Sequence, residues 1–159
     1  MQTIQFENLY DYDTLRMIKN DAHLQLSTNA RTNKVGNMFA LSTAVSKITH
    51  PLEQFGCSHW YVAYFQHIIG VYPHTDNDVA TMKIIGIVPL IWETSTDTHT
   101  LVYQETSTEK IILKSRQGLT LDFDFVWQDN CGVFFDANKF HGSDEFTGTK
   151  TGIQIIGYT

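Results

Sequence analysis

From residue 58 onward the chain is a succession of short aromatic and β-branched runs separated by polar turns, and few folds accept that pattern. The run His59-Trp60-Tyr61-Val62-Ala63-Tyr64-Phe65-Gln66-His67-Ile68-Ile69 is closed by Gly70, and the run from Met82 to Trp92 carries Ile84, Ile85, Ile87, Val88 and Ile91. Shorter runs follow at 100–104, 110–113, 119–123, 132–135 and 151–156. Side chains of this kind suit a pleated, half-buried surface. Many strands at even spacing, with turns such as Gln128-Asp129-Asn130 between them, predict an antiparallel sandwich or barrel. Pro89 has no backbone N–H to donate, so its strand is expected at an edge there, or bulged.

The first fifty residues read differently. Asp11 and Asp13 precede Thr14-Leu15-Arg16-Met17-Ile18-Lys19-Asn20, with acids at the start and Lys19 near the end, as a helix dipole favours. Residues 21–37 are polar and read as a loop. Leu41, Val45 and Ile48 recur at helical spacing before Pro51, which predicts a second helix over about 38–48. The expected architecture is mainly β, with these two helices packed outside one sheet. A length of 159 residues suffices for one domain with its own core, helical over about 9–50 and β over about 58–158.

Composition narrows the function classes. An apolar share of 42% and a charged share of 18% describe an ordinary globular chain, not a disordered one. No apolar run approaches the roughly 20 residues of a membrane span, and Met1-Gln2-Thr3-Ile4-Gln5 lacks the features of a signal peptide. Cys57 and Cys131 are far apart and form no CxxC or Cys/His cluster, so structural zinc is not indicated. Both are expected as reduced thiols in a cytoplasm-like compartment. The net charge of −6 argues against unaided grip on a nucleic-acid backbone, although Lys110, Lys114 and Arg116 lie close in sequence.

The chemistry concentrates in Tyr72-Pro73-His74-Thr75-Asp76-Asn77, answered downstream by Phe140-His141-Gly142 and then Lys150. Residues two apart on an extended segment project from one face, so His74 and Asp76 can reach the same ion. With His141 they make the two-imidazole, one-carboxylate set that holds non-heme Fe(II) and leaves positions open. A jelly-roll brings such distant strands together, and Gly70 and Gly142 permit tight backbone around them. On the last strand Lys150, Gly152, Gln154, Ile156 and Tyr158 share one face. A Lys on that mixed face suits a cationic floor for an acidic co-substrate. The competing reading puts His74 and Asp76 in a solvated loop, His141 at the surface and Lys150 in solvent. No GxSxG, GxGxxG or GxxxxGK[ST] pattern offers a rival chemistry.

Pro73-His74-Thr75-Asp76, Gly132-Val133-Phe134-Phe135, Phe140-His141 and Lys150 together resemble the core of the Fe(II)/2-oxoglutarate-dependent oxygenases, most nearly the prolyl-4-hydroxylase-like branch. The resemblance covers roughly residues 58–158. It implies a double-stranded β-helix (a jelly-roll, cupin-like fold) and His74, Asp76 and His141 as catalytic iron ligands. It further implies Lys150 as the partner of the distal carboxylate of 2-oxoglutarate. A Tyr on the strand before His-x-Asp often meets the co-substrate in such enzymes; Tyr64 is the candidate here and Tyr72 the reserve. Many members have Arg in place of Lys150 and a Ser or Thr two residues on, where this chain has Gly152. Thr149 or Thr151 could replace that hydroxyl.

The reaction implied is hydroxylation by O2, with 2-oxoglutarate converted to succinate and carbon dioxide. A peptidyl substrate such as proline follows from the branch resemblance alone, and a small metabolite fits equally well. Two other functions remain open at this point: a cupin-like metal-binding protein or enzyme that does not use 2-oxoglutarate, and a non-enzymatic β-sandwich assembly module.

Overall fold

The computed structural model describes residues 1–28, 37–40, 45–77 and 80–159. Its strands are β1 (Ile4–Phe6), β2 (Asn37–Ala40), β3 (His59–His67), β4 (Met82–Thr94), β5 (His99–Thr106), β6 (Leu121–Val126), β7 (Gly132–Asp136), β8 (Lys139–Gly142) and β9 (Gly148–Tyr158). Among the described residues they form two antiparallel sheets, β1-β7-β4-β9-β3-β2 and β6-β5-β8. The ladder from β4 to β7 ends at Ile87, and the register of β4 against β9 slips between Pro89 and Ile91. Pro89 therefore sits past the end of one ladder and beside a bulge, where its missing N–H leaves no partner unmet. The run 110–113 forms no strand; Ile112, 70% exposed, makes only an isolated bridge to His74.

Helix α1 (Tyr12–Thr28) opens on Asp11, whose carboxylate accepts the Thr14 N–H at 2.8 Å, satisfying one of the free donors of the first turn. It runs past Asn20 because Leu15, Ile18 and Ala22 continue the helical spacing and are all buried. Residues 21–28 are thus helix, correcting the expected loop, and 29–36 lie outside the described residues. The second expected helix is divided. Asn37–Ala40 is a strand that pairs with Ala63–Gln66 of β3, while α2 (Val45–Thr49) is helical and continues into a 3-10 turn, His50–Phe55. A short apolar run suits helix or strand, and the open edge of β3 decides it. Residues 41–44 lie outside the described residues. Among the described residues no helix is long and apolar enough to cross a membrane.

The large sheet separates two cores. On its outer face Leu15, Ile18, Ile48 and Leu52 from the helical part pack on Val62, Tyr64, Ile84, Val88, Ile153 and Ile155. Between the sheets lie Phe65, Ile85, Phe125, Trp127, Phe135 and Ile156. Strand alternation therefore turns Ile153 and Ile155 toward the helices and sends the other face of β9 into the interior. Lys150, Gly152 and Gln154 belong to that interior face. This is what positions the site.

Candidate metal centre

The segment bearing His74 and Asp76 lies along β8 as an irregular extra strand. His74 N–H donates to the His141 carbonyl and His141 N–H to the His74 carbonyl, each at 2.9 Å, so the two residues face each other as a hydrogen-bonded pair. Gly142 makes the approach possible: a Cβ there would stand 2.6 Å from the Val71 carbonyl oxygen. Thr75 points the other way. Its hydroxyl donates to the Glu109 carbonyl at 2.6 Å and accepts the Ile111 N–H at 3.0 Å, which leaves its neighbours His74 and Asp76 on the opposite face.

One ligand atom from each of His74, Asp76 and His141 lies within 4.8 Å of the others. His74 Nε2 is 3.5 Å from Asp76 Oδ1, and His141 Nε2 is 3.3 Å from Asp76 Oδ2. The Nδ1 atoms face away, toward the Tyr72 carbonyl at 2.8 Å and the Lys139 carbonyl at 3.3 Å. Donation from Nδ1 fixes the tautomer in which Nε2 carries the free lone pair. The Gln154 amide donates to Asp76 Oδ2 at 2.7 Å. These supporting groups had no signature in sequence, although Gln154 shares strand parity with Lys150.

Burial, and then the neighbouring His141, lower the His74 pKa to about 4, against the pull of Asp76. The imidazole is neutral at pH 7, as a metal ligand must be. Burial alone would raise the Asp76 carboxyl, but the adjoining His141 and His74 imidazoles and the hydrogen bond donated by the Gln154 amide outweigh it. Asp76 is held below the usual carboxylate range. Two imidazole nitrogens and one carboxylate, without a thiolate, fit a first-row ion such as Fe(II).

Lys150 lies on the interior face and is only 3% exposed. Its ammonium sits 5.0 Å from the Trp127 ring centre and 5.1 Å from that of Phe146, a cation–π setting. No acceptor among the described residues hydrogen-bonds it. Burial lowers its pKa to about 8, opposed by Asp144. A buried cation without a bonded anion is costly, and an acidic ligand would relieve that cost. The residues present therefore fit an acid-bearing co-substrate beside a metal.

Two expectations for that pocket need correction. Tyr64 pairs with Ile153 and faces the helices, where its hydroxyl donates to Asp21 at 2.8 Å and to the Ile18 carbonyl at 3.2 Å. It does not share the interior with Lys150. Tyr72 is 59% exposed and serves His74 through its backbone carbonyl. Nor does a neighbouring threonine replace the missing hydroxyl. Thr149 is exposed, and Thr151 turns to the outer face, 3.4 Å from the Gln66 amide. Above Gly152 stands the ring of Phe65, which a Cβ there would meet at 2.8 Å.

No protein-family model matches this sequence, and the comparison with curated proteins found no match. Solved structures do match. A Pseudomonas putida prolyl-4-hydroxylase aligns with a TM-score of 0.66 at 10% identity, over 98% of this chain and 91% of that one. The non-heme α-ketoglutarate-dependent carbocyclase SnoK from nogalamycin biosynthesis aligns with a TM-score of 0.74 at 8% identity, over 98% and 79%. The epimerase SnoN, solved with Fe3+, α-ketoglutarate and nogalamycin RO, gives 0.66 at 9% identity, over 98% and 78%. Likeness at such low identity is likeness of fold, and the chain has the jelly-roll, or double-stranded β-helix, of these structures.

Proposed function

We propose that this chain is a single-domain Fe(II)- and 2-oxoglutarate-dependent dioxygenase that hydroxylates its substrate. One observation carries the reading: the His74, Asp76 and His141 cluster shares an interior with a buried Lys150 that no acceptor among the described residues hydrogen-bonds. A cupin-like metal protein without 2-oxoglutarate has no need of that cation, and an assembly module needs neither.

His74, Asp76 and His141 would hold the iron. When bound, iron and 2-oxoglutarate supply the oxidising chemistry, in which O2 gives one atom to the substrate and one to succinate as carbon dioxide leaves. Lys150 would bind the distal carboxylate by a charge-assisted hydrogen bond. Trp127 and Phe146 exclude water around it, which strengthens that attraction. Gln154 keeps Asp76 oriented, and the Tyr72 and Lys139 carbonyls keep the imidazoles in the ligating tautomer.

An open cleft of about 540 Å³ has walls that include Tyr72 and Ser143, two residues along the chain from His74 and His141, together with Lys114, Arg116, Asp144 and Glu145. Charges of both signs there suit a polar substrate, a peptidyl residue such as proline or a small zwitterionic metabolite. The free thiols Cys57 and Cys131 and a metal required in its reduced state both suit a cytoplasm-like compartment. The test is succinate release from 2-oxoglutarate by protein supplied with Fe(II) and O2. Turnover that needs Fe(II) and is lost in His74→Ala supports the function; absence of even uncoupled turnover counts against it.

A further inference from the structure

We propose that His67 is a second anchor for the distal carboxylate of the co-substrate, doing the work of the hydroxyl that Gly152 cannot supply. The inference rests on the 2-oxoglutarate reading above.

His67 stands directly opposite Lys150 in the ladder between β3 and β9, and Trp92 is the partner of Lys150 on the other side. Residues in such a row project from one face, so imidazole and ammonium enter the interior together. Nδ1 of His67 is buried with no hydrogen-bond partner, a condition shared among the described side chains only by the Tyr103 hydroxyl. Buried polar atoms are rarely left unmet in folded proteins. Here two adjacent donor groups, His67 and Lys150, both lack a protein acceptor. The Phe65 ring packs 4.8 Å from the imidazole and also covers Gly152. It keeps His67 in the interior and closes the site where a strand hydroxyl would stand.

The chemistry of the pair matches one carboxylate. Burial, and then the charge of Lys150, lower the His67 pKa to about 3, so the ring is neutral. The two side chains carry a single positive charge between them. Lysine attracts a carboxylate as a point charge and gives it little orientation. A ring N–H is fixed in the imidazole plane and supplies that direction. Tyr64 and Thr151 turn to the opposite face and cannot.

Calorimetric titration of the Mn(II)-loaded full chain tests this, with 2-oxoglutarate and with pyruvate, a 2-oxo acid that lacks the distal carboxylate. His67→Phe should weaken 2-oxoglutarate by about tenfold while leaving Mn(II) and pyruvate affinity unchanged, and His67→Gln should recover most of the loss. Unchanged 2-oxoglutarate affinity in His67→Phe, or equal losses for both acids, would overturn the assignment. Should the Phe variant also lose Mn(II), His67→Gln decides: kept preference for 2-oxoglutarate over pyruvate supports the role, and lost preference refutes it. Wild-type protein that binds Mn(II) but not 2-oxoglutarate would instead sink the proposed function, and this anchor with it.

Discussion

The two ends of the interior pocket differ in who satisfies their polar atoms. At the metal end each ligand already has a protein partner: the Tyr72 carbonyl for His74, the Lys139 carbonyl for His141, the Gln154 amide for Asp76. At the acid end Lys150 is buried with the half-buried His67 opposite it, and among the described residues neither the Lys150 ammonium nor His67 Nδ1 has a hydrogen-bond partner. The first end is set before any ligand arrives. The second is destabilising until one does. On the proposed function, a site whose halves are built so differently would separate metal affinity from co-substrate affinity, so that each half could be broken without the other.

The largest effect is expected at the metal end. Asp76→Ala should abolish turnover and weaken Mn(II) binding beyond the roughly 10- to 100-fold that loss of an outer partner costs, as measured by calorimetry. Lys150→Met should leave Mn(II) affinity intact and weaken 2-oxoglutarate by about 10- to 100-fold. The same variant should be more stable than wild type in urea unfolding without ligand, by on the order of 2 kcal/mol, because a buried charge with no bonded anion is replaced by a chain of similar shape. A less stable Lys150→Met would remove the contrast between the two ends.

The sign with pH follows from the depressed Lys150 pKa. Between about 8 in the folded protein and about 10.4 unfolded, the unfolded chain binds more protons, so stability should rise with pH across that window. The rise should be missing in Lys150→Met, and the difference between the two proteins isolates it from other groups. Affinity for 2-oxoglutarate should fall over the same range as the ammonium loses its proton. Gln154→Leu should weaken Mn(II) by about tenfold and spare the acid end. Smallest of all, Tyr64→Phe should cost about 1 kcal/mol of stability through its lost hydrogen bonds and leave 2-oxoglutarate affinity within about twofold. A larger loss of affinity would return Tyr64 to the pocket.

What sequence showed of this site depended on which strands alternate. In β9, Lys150, Gly152, Gln154 and Ile156 stand at every second position around Ile153 and Ile155, so the interior face was readable. In β3, Val62, Ala63, Tyr64 and Phe65 are all buried, because helices cover one face and the second sheet the other. A strand buried on both sides has no polar alternation to set its register. Sequence alone therefore does not distinguish Tyr64, which faces the helices, from His67, which stands opposite Lys150. β8 has only four residues, too few to show a period, and it became visible only through its pairing with β5 and His74. The His74-Thr75-Asp76 spacing, by contrast, needed no register beyond its own, and the structure brings it to His141.

The central claim is a metal centre that creates the binding site for 2-oxoglutarate. Its most direct test is anaerobic thermal denaturation of the full chain with Fe(II) or Mn(II), with 2-oxoglutarate, and with both, since a ligand that binds only the native state raises the melting temperature. The expected result is a rise with metal and a further rise with 2-oxoglutarate that appears only when metal is present. Both rises should vanish in Asp76→Ala. No response to metal, or a response to 2-oxoglutarate that is the same with and without it, would contradict the account.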